Sequence, residues 1–171
     1  MKGAMLRQRA IRFLAAFSAV FFLALPVKAV PAGPETEVGA KERCPVCGMF
    51  VAKYPAWLSQ IRLAGGGVKF FDGVKDMMAY YHAPKAFGGS GEAVAGMWVR
   101  DYYSLEWLEA EKASYVLGSD VHGPMGHEFI PFASRAAAEN FLKDHKGTRI
   151  LRFDEISARL VDSLRSGQKM R

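Results

Sequence analysis

The sequence pattern of a β-hairpin followed by a helix cap and a helix occurs twice along this chain, and this repeat constrains the fold more than any other feature. In the first part, apolar runs at residues 57–63 and 68–71 are separated by a turn of three glycines, which predicts a β-hairpin. Asp72 follows directly and is typical of a helix N-cap, and residues 74–81 place their apolar side chains at helical spacing. We therefore predict a ββα unit that ends at Pro84.

A second unit repeats the pattern without repeating the residues. Apolar runs at residues 113–117 and 128–132 precede Ser134, which predicts the cap of a helix over residues 135–144. Three further elements are predicted outside the two units: strands over residues 96–103 and 150–153, and a helix over residues 156–164. We predict an α+β fold of two similar ββα-type halves packed together, and half of all residues are hydrophobic, enough for a packed core.

The first 29 residues have a composition of their own. An apolar run from Phe13 to Leu25 is followed by Val27-Lys28-Ala29, which predicts an export signal cleaved after Ala29. The run is short for a membrane span, which needs roughly 20 apolar residues, although an uncleaved N-terminal anchor is the alternative. The first cysteine is Cys44, so a lipoprotein signal is not evident. We expect an exported, periplasmic protein.

The remaining chain divides by composition. Residues 30–42 are polar and rich in Pro and Gly, which predicts a flexible tether. Residues 43–171 form the predicted folded domain, with halves at about residues 43–93 and 94–171. Five basic residues lie in the predicted signal, and without them the net charge falls from +6 to +1. No stretch alternates basic and aromatic residues, so we predict no nucleic-acid partner.

The cysteine loop carries the sharpest chemical signal. Cys44-Pro45-Val46-Cys47-Gly48 is typical of a metal knuckle, in which a stiff turn directs two thiolates at one ion. The chain has only two cysteines, so a site of four cysteines is excluded. The alternatives are a redox Cys-x-x-Cys pair and a structural disulfide, and each predicts that the cysteines act without other ligands.

A second group of soft ligands lies in the long insert between the strands of the second hairpin. Met125 and His127 are two residues apart in a segment rich in Gly and Pro, where Met125 has little core to fill. Thiolate, thioether and imidazole together favour Cu(I). We therefore predict a three-coordinate Cu(I) site from Cys47, Met125 and His127, with Cys44 and Met49 as further ligands for transfer.

Other conspicuous residues have simpler interpretations. Met77 and Met78 fit the buried face of the first helix, and His82 and His145 fit favourable positions near helix ends. The sequence lacks the motifs of nucleotide binding and of serine or zinc hydrolases, so we predict that it is not an enzyme.

Three segments together resemble the NosL family of nitrous oxide reductase accessory proteins. They are Cys-Pro-Val-Cys-Gly-Met-Phe-Val at residues 44–51, Phe-Phe-Asp-Gly-Val-Lys-Asp-Met-Met at 70–78, and Met-Gly-His-Glu-Phe-Ile-Pro-Phe at 125–132. The resemblance implies two similar halves and ligands at Cys47, Met125 and His127. It also implies periplasmic Cu(I) delivery to nitrous oxide reductase, together with a membrane transporter complex.

Two other functions compete with copper carriage. A thiol–disulfide oxidoreductase would use Cys44 and Cys47 and would not need Met125 or His127. A zinc-binding structural module would bind Zn²⁺ more firmly than Cu(I) and would gain thermal stability from it.

Overall fold

A computed structural model of the protein describes residues 33–167. The predicted export signal, and the question of its cleavage, lie outside these residues. The strands are β1 (Ser59–Leu63), β2 (Val68–Phe71), β3 (Val94–Arg100), β4 (Trp107–Glu109), β5 (Ser114–Leu117), β6 (Ile130–Phe132) and β7 (Arg149–Arg152). The α-helices are α1 (Val74–His82), α2 (Arg135–Asp144) and α3 (Ala158–Arg165). Among the described residues, no helix is long and apolar enough to cross a membrane.

Two antiparallel sheets organise the fold. The first has the strand order β2-β1-β3-β4 and the second has the order β6-β5-β7. In the first sheet, β1 lies between its hairpin partner β2 and β3, the strand that follows α1. In the second sheet, β5 lies between its hairpin partner β6 and β7, the strand that follows α2. The α+β class is therefore confirmed, and the two units share one ββαβ topology.

The sheets divide at a later point than the predicted halves. Strands β3 and β4 fall in the predicted second half, but β3 pairs with β1 from Val94 to Val99. The sheet boundary consequently falls between β4 and β5. Sequence pattern identifies a strand without identifying its partner, because pairing is decided by packing between distant segments.

The structure confirms the predicted cap of α2 and contradicts the predicted cap of α1. Ser134 accepts a hydrogen bond from the Ala137 amide and caps α2, as predicted. The prediction that Asp72 caps α1 is wrong, because the N-cap residue is Gly73 and the first-turn amide of Lys75 donates to Glu128 rather than to Asp72. The Asp72 carboxylate instead accepts a hydrogen bond from the Cys47 thiol. Asp72 therefore binds the cysteine loop and does not cap the helix.

Part of the predicted tether lies against the first sheet. The Gln60 side-chain amide binds the backbone of Glu35 twice, accepting from its N–H at 2.8 Å and donating to its carbonyl at 2.9 Å. Arg62 donates to the Gly33 carbonyl at 3.1 Å. Both side chains belong to β1 and are buried. These contacts hold residues 33–35 on the sheet face opposite α1.

The main core joins the two halves. Met77 and Met78 are 0% and 1% exposed, which confirms their predicted core role. On β5, Tyr115 and Leu117 face this core, whereas Val116 faces a smaller cluster beneath α2. This alternation places the second sheet between α2 and the rest of the protein.

Asp101, just after β3, ties the first sheet to the second. Its carboxylate accepts hydrogen bonds from the Ala133 amide at 2.7 Å and from the Ser104 amide at 2.8 Å. Burial alone would raise the pKa of Asp101, but these hydrogen bonds outweigh it and lower the pKa below its usual value. The anionic carboxylate therefore stabilises the junction between β4, β6 and α2.

Candidate metal centre

The cysteine loop has the backbone geometry of a knuckle. The Cys44 amide donates to the Met49 carbonyl and the Gly48 amide donates to the Cys44 carbonyl, both at 2.9 Å. Gly48 adopts a φ of 79°, which closes the turn at a position that favours glycine. Amides of Val46 and Cys47 point at the Cys44 sulfur, and the Met49 amide points at the Cys47 sulfur. The loop thus surrounds both sulfurs with donors that stabilise a thiolate.

Two carboxylates from the start of α1 complete a compact cluster with the cysteines. The Cys47 thiol donates to Asp72 Oδ1 at 3.1 Å, and the Cys44 thiol lies 3.5 Å from Asp76 Oδ2. One ligand atom from each of the four residues lies within 4.8 Å of the others. Both cysteines are free thiols. We call Cys44, Cys47, Asp72 and Asp76 the quartet.

Burial raises the pKa of three members of the quartet, Cys44, Cys47 and Asp76. Burial raises the pKa of Cys44 to about 12, and the nearby carboxylates raise it further against the opposing amides. The pKa of Cys47 is also raised, chiefly by burial. Burial likewise raises the pKa of Asp76. A cation that binds here must therefore displace protons, which makes its affinity dependent on pH.

The Asp72 carboxylate has spare bonding capacity directed at this cluster. Asp72 is 2% exposed, and its Oδ2 atom has no hydrogen-bond partner among residues 33–167. A buried acceptor without a partner is costly, by about 1–3 kcal/mol, unless an ion or another donor satisfies it. Two thiolates and two carboxylates at these separations suit a tetrahedral divalent cation such as Zn²⁺.

A buried lysine brings the second group of predicted ligands to the same end of α1. The Lys75 ammonium donates to the Met125 carbonyl at 2.7 Å and to the His127 carbonyl at 2.8 Å. Lys75 is 3% exposed and lies between the quartet residues Asp72 and Asp76 in sequence. The Met-Gly-His segment is therefore held beside the quartet by a side chain of the same helix.

Glu128 strengthens this attachment. Its carboxylate accepts from the Lys75 backbone amide at 2.5 Å and from its own neighbour, the Phe129 amide, at 3.0 Å. Burial raises the pKa of Glu128 to about 8, against the opposing charge of Lys75. A side chain at Gly73 would collide with this carboxylate. Gly73 is thus needed for the close approach of the two segments rather than for an unusual backbone angle.

The Met-Gly-His segment forms a small hairpin of its own. Gly123 and Gly126 pair through two backbone hydrogen bonds of 2.8 and 3.1 Å, with Met125 in the turn between them. Gly126 has a φ of 86°, so the segment is not extended there, and the spacing of two residues does not put the Met125 and His127 side chains on one face as it would in a strand. Met125 is 49% exposed, which leaves its thioether open to an incoming ion.

The five predicted ligand residues are placed differently relative to the quartet. Cys44 and Cys47 lie in the quartet, and Met125 and His127 attach to the same end of α1 through their backbones. Met49 contributes its backbone to the knuckle.

The sequence interpretation missed four residues of this region: Asp72, Lys75, Asp76 and Glu128. For the two aspartates a signal existed, since they lie four residues apart at the start of a predicted helix. Lys75 and Glu128 carried no such signal. A surface cavity of about 530 Å³ lies elsewhere and is lined by charged residues such as Arg135 and Arg152.

Comparison with known proteins agrees with the resemblance noted in the sequence. The NosL family model matches residues 35–161. The copper-binding lipoprotein NosL of Stutzerimonas stutzeri is 29% identical over 135 residues, which cover 74% of this chain and 68% of that protein. The protein of the same name from Achromobacter cycloclastes is 28% identical over 137 residues, which cover 73% of this chain and 69% of that protein.

A solved structure shows the same fold. The crystal structure of the copper chaperone NosL from Shewanella denitrificans matches with a TM-score of 0.65 at 23% identity, and the match covers 75% of this chain and 98% of that one. These relatives are named as copper-binding and chaperone proteins rather than as enzymes, in line with the prediction made from the sequence. The chain belongs to the NosL family.

Proposed function

We propose that this protein is an exported Cu(I) chaperone, in which Cys47, Met125 and His127 hold the ion. One observation carries the proposal. Lys75 binds the carbonyls of Met125 and His127 while its neighbour Asp72 binds the Cys47 thiol, so soft ligands from distant segments converge on one helix end. The similarity to a copper-binding lipoprotein and to a copper chaperone supports copper as the cargo.

The ligand types support the oxidation state. Thioether and thiolate sulfur favour Cu(I) over harder cations, and three ligands suffice for it. Cys47 is half-buried and Met125 is exposed, so the ion would remain accessible to a receiving protein. Cys44 and Met49 are further ligands that can take part in transfer. A carrier needs this accessibility, because a closed site of four protein ligands would release its ion slowly.

The recipient we propose is a periplasmic cuproenzyme, with nitrous oxide reductase as the first candidate and a membrane transporter complex as a further partner. Family membership supports this choice, as does the export signal predicted for residues 1–29.

A zinc-binding role is the second candidate, and the quartet favours it. Two thiols and two carboxylates match the ligand preferences of Zn²⁺ better than those of Cu(I), and Asp72 Oδ2 lacks a partner among the described residues. A thiol–disulfide oxidoreductase is disfavoured, because a reactive cysteine needs a lowered thiol pKa and burial here raises both.

A Cu(I) competition titration against a chromophoric chelator tests the proposal. The purified protein would be compared, under reducing anaerobic conditions, with Cys47→Ser and with a Met125→Ala/His127→Ala double variant. We expect one tight equivalent, weakened at least 10-fold in both variants. A parallel Zn²⁺ titration with thermal melting tests the second candidate.

The outcomes separate the functions. If only Cys47→Ser weakens Cu(I), the Met-Gly-His hairpin is not a ligand segment and the three-ligand site is wrong. If the protein binds Zn²⁺ in preference and fails to bind Cu(I), the chaperone proposal is overturned and the structural role replaces it. Binding of neither ion would refute both.

A further inference from the structure

The histidine that precedes the Met-Gly-His hairpin faces the hairpin's other imidazole. In an antiparallel pair the two residue numbers have a constant sum, so the bridge between Gly123 and Gly126 places His122 opposite His127. Their ring centroids are 4.6 Å apart with an interplanar angle of 70°. His122 is exposed and His127 is half-buried. The two imidazoles therefore extend from the exposed His122 to the half-buried His127, whose backbone is bound by Lys75 of α1.

Resting on the function proposed above, we propose that His122 is an additional copper ligand, which forms with His127 and Met125 a loading site at the hairpin tip. Imidazole nitrogen binds metal at about 2.0 Å, so a small rotation of each ring lets both nitrogens face one ion. The exposed Met125 thioether lies in the turn between the two histidines. These three donors require no thiol, and all three lie within one six-residue hairpin.

Transfer inward from this site is a ligand exchange. The bond from the ion to His122 breaks as a bond to the Cys47 sulfur forms, and the Cys47 thiol proton passes to solvent. The ion remains Cu(I) throughout. Since His127 and Met125 belong to both sites, the ion keeps two ligands during the exchange, and it is never released.

Hydrogen bonds of the backbone fix the conformation of the hairpin before an ion binds. The two hydrogen bonds of the glycine pair close the turn, and the Lys75 ammonium holds the carbonyls on its inner side. The side chains of His122 and Met125 are left at the surface. A preformed site of this kind binds an incoming ion without ordering a flexible loop.

Three substitutions distinguish a ligand from a packing residue. His122→Phe keeps a ring against His127 but has no nitrogen donor, His122→Ala removes both, and His122→Met restores a soft donor. The rate of Cu(I) uptake from a chromophoric chelator, measured by stopped flow, is expected to fall about 10-fold in the Phe and Ala variants and to recover in the Met variant. Equilibrium affinity should fall less than the rate, because Cys47 holds the ion at rest.

A second measurement observes the loading site directly. In a Cys44→Ser/Cys47→Ser protein no thiol remains to take the ion inward, and one equivalent of Ag(I), an air-stable substitute for Cu(I), should shift the imidazole ¹⁵N resonances of His122 and His127 together. If wild type binds Cu(I) but His122→Phe takes it up at the wild-type rate and the His122 resonance stays unmoved, the loading site is wrong while the chaperone function stands. If wild type binds no Cu(I), both are overturned.

Discussion

Replacing Lys75 by Met would remove the ammonium that attaches the Met-Gly-His hairpin to α1 while keeping most of the side-chain volume. Two charge-assisted hydrogen bonds would be lost, those to the carbonyls of Met125 and His127. The buried carboxylate of Glu128 would also lose its nearest opposing charge. The perturbation therefore acts on both the stability of the fold and the placement of two ligands.

The size of the effect follows from the burial of these groups. Hydrogen bonds to charged groups contribute about 1.5–3 kcal/mol each, and breaking a buried charge pair costs about 3–5 kcal/mol. Glu128 can take up a proton and so limit the loss, since its pKa is already raised to about 8. We expect the free energy of unfolding to fall by about 4 kcal/mol, which lowers Tm by about 12 °C in a domain of this size.

Thermal melting and the Cu(I) competition titration would measure the two consequences. Cu(I) affinity should fall about 10- to 100-fold, as is typical when a residue that orients metal ligands is lost. Lys143→Met, which alters an exposed lysine near the end of α2, is the matched control and should leave both quantities unchanged. A Lys75→Met protein with the Tm and affinity of the wild type would refute the reasoning that this lysine joins the two ligand segments.

Two predictions concern pH. Burial raises the pKa of the Cys47 thiol, so Cu(I) binding must release a proton. The Cu(I) affinity should therefore rise about 10-fold per pH unit between about pH 6 and 8. A flat pH profile in the same competition titration would exclude the thiol as the proton source. The lowered pKa of Asp101 means that its contribution to stability is present above about pH 4, the unfolded value, and is lost as pH falls through the folded value. Asp101→Asn should cost about 1–3 kcal/mol at pH 7 by urea denaturation, with the difference from wild type shrinking in acid, whereas Asp154→Asn at an exposed site should cost little. An equal cost at all pH values would show that the charge of Asp101 is irrelevant.

Local patterns predicted the regular elements well. The strand over residues 68–71 and the helix over residues 135–144 have the predicted bounds, because alternation, helical spacing and Ser134 are short-range signals. Asp72 shows the limit of such signals. An aspartate before an apolar helix is usually a cap, but a thiol brought close by the fold competes for its carboxylate and binds it instead.

The sequence suggested candidate donors for a metal site, but it did not suggest the residues that position them. Cys47 and Met125 could be selected because soft sulfur ligands in loops have few other uses. Nothing local marked Lys75 or Glu128, because a buried charge is explained only by the partner that neutralises it. His122 lies close to the Met-Gly-His segment in sequence, but its position opposite His127 follows from the pairing of Gly123 with Gly126.

By itself the sequence determined the α+β class, the repeated order of hairpin and helix, and the knuckle of Cys44 and Cys47, and it supplied the soft donors on which the copper proposal rests. These properties depend on residue types and on spacings of a few positions. The tertiary structure decided that β3 belongs to the first sheet, that Asp72 and Asp76 face the thiols, and that Lys75 attaches the distant hairpin to the same helix end. Such contacts join residues up to 52 positions apart, and only the packing of the whole chain can determine them.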